Sequence, residues 1–427
     1  MKINPKVVEI SPALRSVFVE GGSFKTSIIT ASLLVPKGKN LGELLVLPKY
    51  LTYSTKKYPT PVELNSRLEY LYGAVLDGVV TRFGENSLIQ LEMTCIDNKY
   101  SLEGEDVGQA CLELLLDALF EPDAEGGSLD SDKYELQKRL AVESIESAVN
   151  DKRRYAFTRM LEIMCADEVM GITRGETIDA IKQSTAVSAY SAWRELLKDA
   201  RVQFNFVGSF NADRATALIK ERFSQIEREP IESETLFVES AEDVTEVTET
   251  MDINQSKLVL GFRSGMTHRK DDIYAEQMMV DIFGGGIYSR LFKNVREKLS
   301  LCYYCSASLM REKGLVIVQS GIEYSNRQQA LDEILNQLEI MKNGGFTDEE
   351  FTASKTAICD ALSGALDTPD GIDAFLSNKI VEDDIMPIEE SIKKYQALTR
   401  EDIIRAAKRI TLDTVYTLAG KEGDDIE

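Results

Sequence analysis

The side chains able to do chemistry in this chain are few and widely spaced. Its 427 residues include one histidine, His268, set between Thr267 and Arg269. A hydrolytic zinc site built on a helix takes two neutral imidazoles, and a catalytic triad takes one as general base. A lone imidazole rules out the two-histidine site, and in so polar a stretch His268 reads as a surface residue. Cys302-Tyr303-Tyr304-Cys305 has C-x-x-C spacing, but neither a second pair nor a histidine lies nearby to complete a tetrahedral metal site. In a regular strand, positions i and i+3 point to opposite faces, so these read as two core thiols. Gly284-Gly285-Gly286 is followed by no Lys-Ser/Thr, which a phosphate-cradling loop requires. Glu242-Asp243 and Glu382-Asp383-Asp384 lack the alternation of a calcium loop and read as solvated acids. Lys152-Arg153-Arg154 reads as a solvated helix face or a partner contact, and Trp193 as core.

The elements that must position these residues fall into two similar series. Each starts with a strand, Ser27–Val35 or Lys257–Arg263, and continues through helix, β-rich sequence and long amphipathic helices. Each ends with a helix (Ser188–Lys198, Arg400–Arg409) and a short apolar strand (Val202–Gly208, Val415–Gly420). Thr60-Pro61-Val62-Glu63 is a capping box with proline at the first helical position, and Leu64, Leu68, Leu71 and Tyr72 form its apolar stripe before Gly73. Thr347-Asp348-Glu349-Glu350 repeats the device before Phe351–Leu366. Leu299–Leu309, Arg311–Gly314 and Leu315–Ile322 predict a β-hairpin. Residues 229–250 carry eight acids and no Lys or Arg, and they predict an extended linker. The expected domains are therefore 1–228 and 251–427, joined by 229–250, in a duplicated α+β fold.

Composition narrows the partners. Against 49 basic residues stand 71 acidic ones, a net charge of −22, which repels nucleic-acid backbones and anionic lipid. The longest apolar runs, such as Leu44–Leu47, fall far short of the ~20 residues a bilayer needs. The N-terminus lacks a signal-peptide core, and six thinly spread cysteines suit a reducing compartment, so the expected location is cytoplasmic.

Residues 283–303 carry the most specific pattern. Ile273–Phe283 reads as a helix that the glycine run stops, because glycine accepts positive φ at no steric cost. A second helix starts near Tyr288, with Leu291, Phe292 and Val295 buried and Arg290, Arg296 and Lys298 left for other faces. On its own this is a helix–turn–helix–strand packing unit. The string Gly-Gly-Gly-Ile-Tyr-Ser-Arg-Leu-Phe-Lys-Asn-Val-Arg-Glu-Lys-Leu-Ser-Leu-Cys-Tyr also closely resembles the second-half signature of the inverzincin metallopeptidases, the pitrilysin, insulinase and mitochondrial-processing-peptidase family. That resemblance implies two homologous α+β domains, each an antiparallel sheet with helices packed on it, forming a clam-shell around a peptide. It also implies that Arg296 and Tyr303 match the family's substrate-contacting Arg/Tyr pair, behind the Gly284-Gly285-Gly286 loop.

Active relatives carry H-x-x-E-H on a first-half helix: two imidazoles hold zinc while the glutamate acts as general base. The comparable segment here is Gly42–Thr55, which puts Leu45, Pro48 and Lys49 at the His, Glu and His positions. Leucine cannot ligate, proline cannot act as a base and disfavours a regular helix, and lysine brings a cation to the metal position. The third-ligand region falls in 140–146, with Ser144 the match and Glu143 beside it. No metal, no other cofactor and no catalytic residue is expected. The resemblance therefore implies a catalytically inactive subunit of a heterodimeric zinc metallopeptidase, lending chamber wall and peptide grip to a separate zinc-bearing chain. A peptide-binding or structural module with no hydrolytic partner is the alternative, and a mechanism independent of histidine is a third.

Overall fold

A computed structural model describes residues 4–38, 40–232, 234–266 and 272–420, so His268 lies outside the described residues. Two sheets dominate it. The first is built from β1 (Lys6–Ser11), β2 (Leu14–Val19), β3 (Thr26–Pro36), β4 (Val75–Phe83), β5 (Asn86–Ile96) and β6 (Arg201–Val207), in the order β1-β2-β6-β3-β5-β4. The second is built from β7 (Thr245–Met251), β8 (Ser256–Arg263), β9 (Cys302–Met310), β10 (Leu315–Ile322) and β11 (Thr411–Gly420), in the order β9-β10-β8-β11-β7. Without β1, the two orders match strand for strand. In each, the final strand pairs in parallel with the first (β6 with β2, β11 with β7), and the other pairings are antiparallel. This is the duplicated α+β plan that the order of elements predicts.

The chain forms two compact units, and neither is a continuous stretch of sequence. The first draws its described residues from 1–146, 174–234 and 362–389; the second draws on 147–173, 235–361 and 390–427. Each unit thus includes a helix from the other half of the chain. In the second unit the helix Lys152–Met164 lays Ala156, Met160, Leu161 and Met164 against Val259, Ile317, Tyr416 and Leu418. Gly261 makes room for it: a Cβ there would stand 2.5 Å from the Met164 sulfur and 2.7 Å from that of Met160. The opposite face of β8 sends Leu258, Leu260 and Phe262 into the main core with Met278, Met279 and Ile282 of the helix Ile273–Gly284.

In the first unit the equivalent covering helix, Pro369–Ser377, meets a polar sheet face instead. Asn205 Nδ2 donates to Asp373 Oδ1 (2.9 Å) and to Ser377 Oγ (3.0 Å), while Gln203 Nε2 donates to the Leu376 carbonyl (2.8 Å). Arg15 donates to the carbonyls of Lys379 (2.7 Å) and Glu382 (2.8 Å). The reverse face holds the apolar core, where Phe18 and Phe206 stack 4.5 Å apart.

Local signals are realised with two exceptions. Both capping boxes form, Thr60 with Glu63 and Thr347 with Glu350, and Gly73 ends its helix at φ 72°. Leu64, Leu68 and Leu71 are buried, but Tyr72 is exposed, because a positive φ of 61° turns its hydroxyl onto Glu105 (2.5 Å). The acidic stretch 229–250 is not extended coil to its end, since β7 occupies Thr245–Met251 and pairs with β11. Trp193 is core, its indole N–H donating to the Leu119 carbonyl (2.8 Å). Among the described residues no helix is long and apolar enough to cross a membrane.

Candidate functional site

Three helices carry or precede the predicted site positions: α1 (Leu41–Leu51) and α2 (Ser131–Ser147) in the first unit, and α3 (Ile273–Gly284) in the second. After α3 and the glycine run the chain enters a π-helix, Leu291–Lys298. Its wider turn brings residues four apart into line, a geometry often found at functional sites. Leu291 and Val295 are fully buried; Phe292 is half-buried, and the Arg296 guanidinium lies over its ring at 4.5 Å. Among the described residues Arg296 makes no ion pair.

The π-helix closes through Leu299 N–H to Asn294 carbonyl (3.3 Å), Ser300 takes φ 51°, and Leu301 N–H returns to the Val295 carbonyl (3.1 Å). The chain then enters β9 through a bulge. Continuing the register from Met310↔Leu315 would set Tyr303 opposite Ile322, but Cys302 stands there and Tyr304 faces Gly321. Tyr303 is the extra residue, which frees its side chain from the ladder. It is 58% exposed and donates to Glu323 Oε1 at 3.3 Å. Arg296, Tyr303, Glu297, Ser300, Cys302 and Glu323 thus line one cleft of about 470 Å³. Arg296 and Tyr303 are brought together, and neither is committed to the core.

The glycine run does its work by lack of bulk and not by positive φ. Gly285 sits at φ −79°, and none of the three is among the positive-φ glycines. A Cβ on Gly284 would lie 2.5 Å from the Ala307 nitrogen, one on Gly285 2.1 Å from Asp281 Oδ1, and one on Gly286 2.8 Å from the Tyr288 ring. Arg290 also departs from expectation. It is buried, pairs with Glu350 (3.0 Å) and donates to Gln337 Oε1 (2.9 Å), so it ties the loop to the helix Asp348–Gly364. The basic run 152–154 begins its helix, with Asp151 as N-cap, and Arg153 stacks on Tyr304 at 4.5 Å. Arg153 and Arg154 are exposed, so the run forms a solvated helix face in the second unit.

The remaining predicted positions lie in the first unit. Leu45, Pro48 and Lys49 all sit on α1, and the helix runs unbroken through Pro48. Close packing holds it: a Cβ on Gly78 of β4 would come within 2.3 Å of the Pro48 carbonyl oxygen. Lys49 Nζ pairs with Asp77 Oδ1 at 2.5 Å, so its ammonium is already held by a carboxylate. Ser144 and Glu143 are exposed on α2, and Glu143 pairs with Arg139 (3.8 Å). Among the described residues no cluster of three or more His, Cys, Asp or Glu is arranged to hold a metal ion. A ligand set of leucine, proline and an ion-paired lysine does not fit zinc.

Residues 185–358 match the family model described as the peptidase M16 inactive domain. The probable inactive metalloprotease YmfF of Bacillus subtilis is 31% identical over 411 residues, 96% of either chain. The chain belongs to the M16 peptidase family. The same bacterium has an uncharacterized zinc protease, YmxG, 25% identical to this M16 chain over 182 residues, 42% of this chain and 44% of that one. A conserved protein of Enterococcus faecalis is similar in structure, with a TM-score of 0.89 and 25% identity across 99% of this chain and 100% of that one. The family model and the YmfF relative make the chain a non-catalytic homologue of the zinc metallopeptidases.

Glu323 and Ser300 are cleft residues that no motif in the sequence marks. The hairpin register carried a signal for Glu323, since the residue after Ile322 must come beside the start of β9. Ser300 carried none, because its positive φ is imposed by the π-helix end.

Proposed function

We propose that the chain works as the non-catalytic partner of a separate zinc-bearing M16 chain, in a heterodimer that cleaves peptides. It lends chamber wall and substrate grip. The observation that carries this reading is the pairing of Arg296 and Tyr303 in one cleft, with an exposed phenol and, among the described residues, a guanidinium free of ion pairs and no cluster of metal-binding side chains. A guanidinium offers several donors to peptide carbonyls or a carboxylate, and a phenol both donates and accepts. The occurrence of an inactive relative and a zinc protease relative in one bacterium supports a division of labour. The test is a pull-down from the native host, with mass spectrometry and a chelator-controlled peptidase assay of the complex. Recovery of a chain carrying H-x-x-E-H, with activity only in the complex, is the expected result. A chain recovered alone, or with no peptidase activity in its complexes, would favour a structural module.

A further inference from the structure

The bulge at Tyr303 changes what C-x-x-C means in this chain. It removes one step of alternation, so Cys302 and Cys305 face Ile322 and Ser320 and point to the same side of β9. Both belong to the buried cluster of the second unit, and their thiols hydrogen-bond to each other and to Ser320. Partners two residues apart imply a Cα separation of roughly 6–7 Å, at the upper end of what a disulfide spans. Cys302, but not the fully enclosed Cys305, is also part of the cleft wall beside Arg296.

We propose that Cys302 and Cys305 form an oxidation site in the wall of the cleft, closed to a disulfide by a peroxide and reopened by a dithiol. The roles are unequal. Cys302 is held below the usual thiol range, first by the hydrogen bond from Cys305 and also by the Arg296 charge. Cys305, the donor, is pushed up by that hydrogen bond and by burial. The thiolate is the nucleophile, so Cys302 reacts first. Its sulfur attacks one oxygen of hydrogen peroxide, the O–O bond breaks, and the departing hydroxide takes a proton and leaves as water. Cys305 sulfur then attacks the resulting sulfenic acid at sulfur, the S–O bond breaks, and the hydroxyl leaves as a second water with the Cys305 proton. Two thiols and one peroxide become one disulfide and two waters. A bridge at the limit of its span is a strained one, and strained disulfides are the reducible, regulatory kind.

The chain carries its own controls. Cys95 and Cys111 are also in mutual contact but lie sealed in the first unit's core, and Cys359, half-buried, has its thiol raised by burial. The reduced full-length chain would be titrated with hydrogen peroxide and followed by intact mass and peptide mapping, with iodoacetamide labelling at pH 7 in parallel. The expected result is loss of the mass of two hydrogens, a Cys302–Cys305 link that dithiothreitol reverses, and labelling of Cys302 at least about tenfold faster than of Cys359. Cys305→Ala should stop at a Cys302 sulfenic acid that a 1,3-diketone reagent captures, and Arg296→Gln should slow Cys302 labelling. Oxidation that maps first to Cys359, or Cys302 labelled no faster than Cys359 in the folded wild-type chain, would overturn the proposal. These readouts need no peptide, so they are separate from the test of the heterodimer.

Discussion

Lys49 offers the most direct test of whether α1 can be made to hold zinc. Its ion pair with Asp77 is about half exposed on both sides, so it contributes less than about 1 kcal/mol. The pair matters chemically more than energetically, because it places a cation on α1 with its counter-ion, Asp77, already engaged, and neither favours binding a metal cation. Placing the three motif residues by Leu45→His, Pro48→Glu and Lys49→His should therefore leave the isolated chain without chelator-sensitive peptidase activity. Ser144 cannot supply the third ligand, and nothing orients the new imidazoles; stoichiometric zinc by elemental analysis together with peptide hydrolysis would contradict this. Arg296 and Tyr303 call for the opposite test. Neither is used by the core, so Arg296→Ala and Tyr303→Phe should leave the melting temperature and assembly unchanged in a reconstituted heterodimer. If each loses a hydrogen bond to bound peptide, kcat/KM should fall roughly ten- to a hundredfold for the arginine, from about 1.5–3 kcal/mol for a charged bond, and less for the neutral tyrosine. A lower melting temperature with unchanged specific activity would make both residues structural.

Elements were legible where local chemistry decides them and illegible where packing does. The capping boxes, the Leu315–Ile322 strand and the paired helix–strand endings could be read from spacing, because each is a local hydrogen-bonding or alternation rule. The bulge at Tyr303 and the buried Arg290 could not, since each is imposed by neighbours distant in sequence, the β10 register and Glu350; nor could the π-helix, whose Asn294–Leu299 closure follows no spacing rule in the sequence. For the same reason the sequence placed the two cysteines on opposite faces of a regular strand. The polar seat of the helix Pro369–Ser377 was equally hidden, and it has a consequence for pH. Burial raises the Asp373 carboxyl to about 7, with the hydrogen bond from Asn205 opposing and Glu92 and Asp370 adding repulsion. Glu92, one of these two acids, is itself raised by burial. The folded state therefore holds a proton that the unfolded chain releases near 3.8, so this residue's stability contribution is whole below that value. It declines as pH rises and is lost above about 7. Asp373→Asn mimics the protonated form, its carbonyl still accepting from Asn205. It should raise stability at pH 8 by on the order of 2–4 kcal/mol while changing little at pH 4. Denaturant titrations of both proteins at the two pH values check this, and equal differences at both would mean that Asp373 does not titrate in that range.

At the scale of the whole chain, sequence halves and compact units do not coincide, and that determines how the protein should come apart. The stretch between the sheets is pinned at intervals: Ile231 N–H donates to the Asp199 carbonyl (2.9 Å), Lys313 Nζ holds the Leu236 carbonyl, and β7 begins at Thr245. Between those anchors, residues 239–244 contain three acids, form no strand and are mostly exposed. A glutamate-specific protease at native pH should cut first after Glu239 or Glu242, because exposed, unpaired backbone is what a protease engages. The fragments should nevertheless stay together. The helix Lys152–Met164 buries four apolar side chains, Ala156, Met160, Leu161 and Met164, in the second unit, and the segment 362–389 closes the polar face of the first sheet. Nicked protein should thus elute with the intact chain on gel filtration and separate only in denaturant. A fragment ending at residue 228 should behave worse than the nicked form, for Arg15, Gln203 and Asn205 would lose the partners that Lys379, Leu376 and Asp373 provide. Each buried group left unpaired costs about 1–3 kcal/mol, enough in sum to unfold a domain of ordinary stability. Clean separation of two folded halves after the nick, or a soluble, cooperatively melting 1–228 fragment, would show instead that each half of the sequence carries a complete unit.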